Sequence, residues 1–378
     1  MLRLFTLVIV TVAFVTQSHA AEPQSFRYSL FNGNDLSGWH THRCQAAASN
    51  GILTIKEGNG LLWHDFRVRD FVLELEWRPL KTEKYDSGIY FRCEVPEEGK
   101  PFPAKYQVNL KQGDEANLIG FPLGRSKGIV KPGEWNRMKL HVSGETAEMT
   151  INDQPAWKVS GVDIREGHVG IQVEVPLGGE YEFKNIFLTE LGYRSLFNGK
   201  DLAGWEGAGE EANACWLVEE GLLVCNGKKG PWLRSAEEFD NYNLRLEYKL
   251  KAGGNSGVYV RVPKSGNHHG DDAGIEIQVL DDAASKYATL KDWQYTGSLY
   301  GIVAANPRVA RAAELWNTLE INCRGTSYKI FHNGVKIIDA DEKTSAELGK
   351  RRQAGFLGLQ NHSEHVWYRN VRLGPAVE

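Results

Sequence analysis

Apolar side chains recur at every second position through FVLELEWRPL, SGIYFRCEV and NRMKLHVSG. The same alternation runs through NLRLEYKLK, SGVYVRV, IEIQVL and SYKIFHNGVKII. A period of two places successive side chains on opposite faces of an extended strand. β-Branched and aromatic residues fill these runs, and Gly, Asn and Asp interrupt them, as in strands joined by turns. Asn333-Gly334 is the pair favoured by a two-residue hairpin turn, where both positions need positive φ. Helical periodicity is scarce, and Lys343–Arg352 admits at most one short helix. The expectation is all-β: curved antiparallel sandwiches with strand spacing suited to a jelly roll.

The pattern occurs twice. SLFNGNDLSGWH begins at Ser29 and SLFNGKDLAGWE at Ser195. LELEW at Leu73 answers LRLEY at Leu244, and SGIYFR at Ser87 answers SGVYVR at Ser256. Trp135-Asn136 answers Trp316-Asn317, and Phe183-Lys184-Asn185-Ile186 answers Tyr368-Arg369-Asn370-Val371. One long period present twice means tandem domains, expected at 25–191 and 194–376. Residues 1–20 place Arg3 before an apolar run and end in small residues, the pattern of a signal peptide cleaved after Ala20. No later stretch approaches the apolar length of a membrane span. A secreted or periplasmic protein is expected.

Composition narrows the chemistry. With 44 Lys+Arg against 48 Asp+Glu the net charge is −4, which excludes a basic nucleic-acid binder driven by phosphate neutralisation. Five cysteines without a Cys-x-x-Cys pair support neither a disulfide scaffold nor a zinc site. Cys215 and Cys225 flank a hairpin and could approach each other across it. No Gly-x-Gly-x-x-Gly or Walker loop joins a strand to a helix, so no nucleotide cofactor is implied.

The strand GIEIQVLDD is the most informative segment. Glu276 and Gln278 share one face, while Ile275, Ile277 and Val279 face the core. A regular strand would turn Asp281 to the far face, whereas a bulge would return it to the groove. Two carboxylates on one face suit acid/base work; a solvated polar face is the alternative. Arg261, ending SGVYVR, could pair with Glu276 or hold a substrate oxygen. LQNHSEHVWYRN offers Gln360, His362 and Arg369, with imidazole suited to proton transfer. Trp293, Tyr295 and Tyr300 could stack on sugar rings or simply pack the loop. The NHHGDD cluster (His268, His269, Asp271, Asp272) could bind a cation, although its spacing fits no specific geometry.

SLFNGKDLAGW, LRSAEEFDNYNLRLEYKLKAGGNSGVYVR, GIEIQVLDD, TGSLYG, WNTLEI and GLQNH…VWYRNVRL, in this order, resemble the 3-keto-disaccharide hydrolase domain family. The first repeat resembles it more weakly. The resemblance implies two tandem concanavalin-like jelly-roll sandwiches, usually exported, that cleave glycosides already oxidised at carbon 3. Glu276-Ile277-Gln278-Val279-Leu280-Asp281 also looks like the Glu-x-Asp-x-x-Glu strand of laminarinase-type glucanases, with Gln278 in place of the middle carboxylate. On this reading Glu276, Asp281 and His362 are catalytic, while Arg261, Gln278, Tyr300, Gln360 and Arg369 bind substrate. Glu276 or His362 is the base, and Asp281 or Glu276 the acid. The reaction has no net redox change and implies no organic cofactor or metal. Aligning Gln107 with Gln278 sets Lys105 against Glu276, Leu110 against Asp281, Gln172 against Gln360 and Glu174 against His362. A slip of one or two residues still finds no acid in AKYQVNLKQ. The first domain is therefore expected to have lost catalysis, and to pack on the second or hold glycan uncut. A lectin-like carbohydrate-binding protein is the rival reading, and the oligomeric state is left open.

Overall fold

The computed structural model describes residues 24–378 except Lys127 and Glu210; the expected signal peptide at 1–20 lies outside them. The chain folds as two tandem antiparallel jelly-roll sandwiches. Each has its own apolar core, one spanning Tyr28 to Leu188 and the other Phe197 to Leu373. Among the described residues no helix is long and apolar enough to cross a membrane. The segment 343–352 forms only the 3-10 turn Leu348–Lys350.

In the first repeat one long strand, Ile52–Val68, serves both layers. Its N-terminal end pairs with Tyr181–Leu191 and its C-terminal end with Gly167–Glu174. The second repeat breaks that strand into Leu222–Asn226 and Leu233–Phe239. The break carries Gly227, Gly230 and Pro231; proline has no N–H to give a ladder. Two separate sheets result. The five-stranded one runs Trp205–Gly207, Leu233–Phe239, Gly355–Leu359, Asn255–Val262, Ile275–Leu280. Its alternation is as read from the sequence: Ile275, Ile277 and Val279 enter the core. The opposite face is not a solvated surface, because Glu276 and Gln278 are also buried, under the loops that follow Val262 and Leu290.

The hairpin Ser327–His332/Val335–Ala340 turns at Asn333-Gly334 with φ of 48° and 79°. In the hairpin Trp216–Glu219/Leu222–Asn226, Trp216 stands opposite Cys225. Cys215 lies one residue before the paired rungs, with its thiol towards the carbonyls of Ala212 and Pro231. No disulfide occurs among the described residues.

Candidate active site

The edge strand Ile275–Leu280 aligns Glu276 with Tyr259 and Gln278 with Gly257 on the neighbouring strand. The next strand adds Gly358 beside Tyr259, and Gln360 donates its N–H to the Gly257 carbonyl at 2.8 Å. The two glycines thin the floor of the groove. A Cβ on Gly257 would lie 2.3 Å from Glu276 Oε1, and one on Gly358 2.3 Å from the Trp232 ring. The carboxylate and the indole thus rest directly on backbone. Trp232 meets Tyr259 edge-on at 5.4 Å.

The loop after Val262 folds back over this floor. The His268 ring stacks on Tyr259 at 4.8 Å. Its Nε2 lies 3.2 Å from Glu276 Oε2, and its Nδ1 3.1 Å from the Gly266 carbonyl. Both ring nitrogens face acceptors, so the His268–Glu276 contact must itself hold a proton. Burial works against the imidazolium, but the hydrogen bond and charge of Glu276 outweigh it, and the His268 pKa rises. His269 packs on His268 at 4.0 Å. Its pKa falls, through burial and then the charge of His268. Tyr300 donates its N–H to the Glu276 carbonyl at 2.9 Å, and its ring lies 5.1 Å from Trp293. Gln294 links the rim, donating to the Tyr300 hydroxyl at 3.1 Å and accepting from Gln278 Nε2 at 3.2 Å. Gln360 Nε2 donates to the Tyr259 hydroxyl at 3.0 Å, while Gln360 Oε1 is buried with no partner among the described residues.

Of the residues expected from the sequence, the fold brings Glu276, Gln278, Tyr300 and Gln360 together. His362 is exposed on the loop beyond Gln360. The other three are bound elsewhere. Asp281 does not return to the groove; its Oδ2 accepts the Gly253 N–H at 2.7 Å and closes the turn there. The expected Arg261–Glu276 pair is not formed. A bulge after Tyr259, with φ of 54° at Arg261, turns the guanidinium away. It donates instead to the carbonyls of Asp240 and Gly325 and to the Tyr328 hydroxyl. Arg369 belongs to the other sheet, donates to Glu247 Oε2 at 2.7 Å and covers Trp316. The NHHGDD cluster divides, Asp271 and Asp272 facing Lys350 and Arg352. Tyr259 and Trp232 are residues of this groove that the sequence reading did not select, and it noted His268 only within a possible cation cluster. The available signal was the histidine pair just upstream of the acidic strand.

Residues 27–189 and 192–374 each match the model of the 3-keto-alpha-glucoside-1,2-lyase-like domain. The chain belongs to this family. It is 28% identical over 225 residues to the 3-keto-disaccharide hydrolase of Bacteroides thetaiotaomicron, a match covering 48% of this chain and 78% of that protein. A Parabacteroides distasonis protein, named provisionally as a glycosyl hydrolase, is 24% identical with a TM-score of 0.42, over 49% of this chain and 94% of that one. A carbohydrate-binding module of Bacillus subtilis is 14% identical with a TM-score of 0.32, over 40% of this chain and 94% of that one.

The two family domains can be compared rung by rung. Tyr90 stands opposite Gln107 and Gly88 opposite Asn109, as Tyr259 stands opposite Glu276 and Gly257 opposite Gln278. This corrects the alignment drawn from sequence: Gln107, not Lys105, replaces Glu276, and Asn109 replaces Gln278. Asp281 corresponds to Gln112, whose Oε1 accepts the Lys84 N–H at 2.6 Å, as Asp281 accepts that of Gly253. Tyr300 corresponds to Ile119, whose N–H meets the Gln107 carbonyl at 3.0 Å. Segment 94–106, EVPEEGKPFPAKY, contains no histidine to match His268.

Proposed function

We propose that the second repeat cleaves 3-keto glycosides by elimination followed by hydration. The observation that carries this reading is the buried Glu276 paired with the half-buried His268, lying beside an aromatic rim and two amide side chains. A ketone at carbon 3 acidifies the hydrogen on carbon 2. Glu276 takes that proton, and the C2–H electron pair becomes an enolate. The enolate then expels the oxygen on carbon 1, leaving a double bond between carbons 1 and 2. The proton held by Glu276 passes to the departing oxygen, which leaves as an alcohol. Addition of water across the double bond, its proton to carbon 2 and its hydroxyl to carbon 1, completes a net hydrolysis. One carboxylate acting first as base and then as acid suffices, which fits a groove where Asp281 is engaged elsewhere. His268 orients Glu276 and balances its charge. The hydroxyl of Tyr259 and the amides of Gln278 and Gln360 supply polar groups for the substrate hydroxyls and the enolate oxygen. The leader pattern at residues 1–20 supports export, and a soluble sugar substrate fits that setting.

The test is Glu276→Gln in the full chain, with aglycone release measured from a 3-keto disaccharide and from its unoxidised parent. The unaltered protein should cleave only the keto sugar. The variant should lose that activity while melting cooperatively, and like the parent on the alkaline side of the raised His268 pKa. Cleavage of the unoxidised sugar at a comparable rate, or a fully active variant, would overturn the reading.

A further inference from the structure

The groove of the first repeat keeps the architecture of the second without its chemistry. A Cβ on Gly88 would lie 2.2 Å from Gln107 Nε2, so the amide rests on bare backbone as the Glu276 carboxylate does on Gly257. Gln107 Nε2 donates to Gln172 Oε1 at 2.5 Å, and Gln172 Nε2 donates to Glu174 Oε2 at 2.9 Å. This chain of amides fixes which atoms face the groove. Both Gln107 amide hydrogens lie on Nε2, so its carbonyl oxygen is an acceptor only. A cavity of about 370 Å³ opens over it, lined among others by Tyr90, Tyr106, Ile119 and Phe121. It shares Ala104 and Lys105 with an adjoining cavity of about 590 Å³ that contains Phe102. Both volumes lie in the range of small-molecule sites, roughly 300–1,000 Å³.

We propose that this groove is a second carbohydrate-binding site, which holds a neutral glycoside and does not cleave it. The inference rests on the reading of the second groove as a site for 3-keto glycosides. The neutral amide of Gln107, held from behind by Gln172, lies on the floor, and aromatic rings form the walls. Lys105, the cation at the rim, already faces Asp163. An anion would gain no unshared positive charge here. A polyhydroxylated ring offers what the site matches: C–H faces for the aromatics and hydroxyls for amide oxygens. Turnover fails because an amide takes no proton from carbon 2 and no histidine stands behind it. Tethering such a site to the active groove raises the local substrate concentration without any further contact.

The experiment uses the full chain carrying Glu276→Gln, so that bound sugar survives. Calorimetric titration with a 3-keto disaccharide, and separately with its unoxidised parent, gives the number of sites. Two sites are expected for at least one of these sugars. Ile119→Trp fills the first groove from an exposed position and should reduce two sites to one; Gln107→Leu should weaken the same site. A single site for both sugars in the Glu276→Gln chain, or two sites untouched by both further changes, would overturn the proposal. Failure of the unaltered chain to cleave the keto sugar would instead sink the reading of the second groove.

Discussion

Arg92 and Arg261 occupy the same bulge in the two repeats, with φ of 45° and 54°. Each is fully buried and ties loops together through backbone carbonyls. Asn185 and Asn370 repeat the comparison, donating at 2.7 Å to Glu76 and Glu247. Lys184 and Arg369 complete the pattern, each a cation over its repeat's Trp135 or Trp316. These shared arginine, asparagine and cation–aromatic contacts therefore hold up the sandwich in both repeats. The two grooves differ at other positions: Glu276 against Gln107, His268 against no histidine, Tyr300 against Ile119. Charge alone is a poor guide to a site here, since the most deeply buried arginines are scaffold.

A second asymmetry lies where the repeats meet. The Asn333-Gly334 turn sits on Trp63, and a Cβ on Gly334 would come within 2.6 Å of that ring. Arg311 reaches across to Asp65 with two hydrogen bonds of 2.9 Å. Glu190 is buried between Arg245 and Arg372, and Arg245 also bonds Glu320 at 3.0 Å. A cavity of about 570 Å³ remains beside this contact, lined from both repeats by Trp63, Arg67, Glu320 and Phe331 among others. The corresponding turn of the first repeat, Asn152-Asp153, carries a side chain where Gly334 has none.

These contrasts can be tested by moving residues across them. Glu276→Gln gives the second groove the amide of the first; kcat/KM should fall about 10²- to 10⁴-fold, the usual worth of a positioned general base. Glu190→Leu leaves buried guanidinium charge short of its partner. Urea unfolding should register a loss of about 3–5 kcal/mol, whereas a loss below about 1 kcal/mol would show that the repeats do not depend on this contact. Gly334→Ala adds a methyl group at positive φ against Trp63 and should cost about 1–2 kcal/mol by the same measurement. Asp153→Ala, lacking that neighbour, should cost less.

His268→Gln is expected to act on pH dependence. The His268 pKa is raised in the fold, so its contact with Glu276 contributes fully below the ordinary histidine value of 6.5. That contribution fades as pH rises through the raised value. The variant should lose this part of the stability profile, seen as melting curves that converge with the parent's on the alkaline side. Asp281→Asn should matter least, because Gln112 already does the same turn-closing work without charge. Near-parental activity and a stability change within about 0.5 kcal/mol are expected; a hundredfold loss of activity would return Asp281 to the chemistry.

Much of the fold was legible because strand alternation and turn residues are local. The tandem repeat, the hairpin at Asn333-Gly334 and the shared face of Glu276 and Gln278 all follow from spacing along the chain. The sequence also favoured Tyr300, which bonds the Glu276 carbonyl, and Gln360, which follows the strand Gly355–Leu359, one strand removed from that of Glu276. Arg261 and Asp281 were misplaced for one reason. A bulge or a strand end changes which face a side chain takes, and no period records it. The alignment of Gln107 failed similarly: matching letters suggested one register, and cross-strand pairing set another.

The amino acids in order were enough to specify two β-sandwiches, and to put a carboxylate on one sheet face where its twin carries none. Periodicity and composition act over a few residues, so they survive without a structure. Where the loop carrying His268 lands, which arginines turn inward and how one repeat seats on the other depend on contacts between residues far apart in the chain. Those were decided only when the sheets packed.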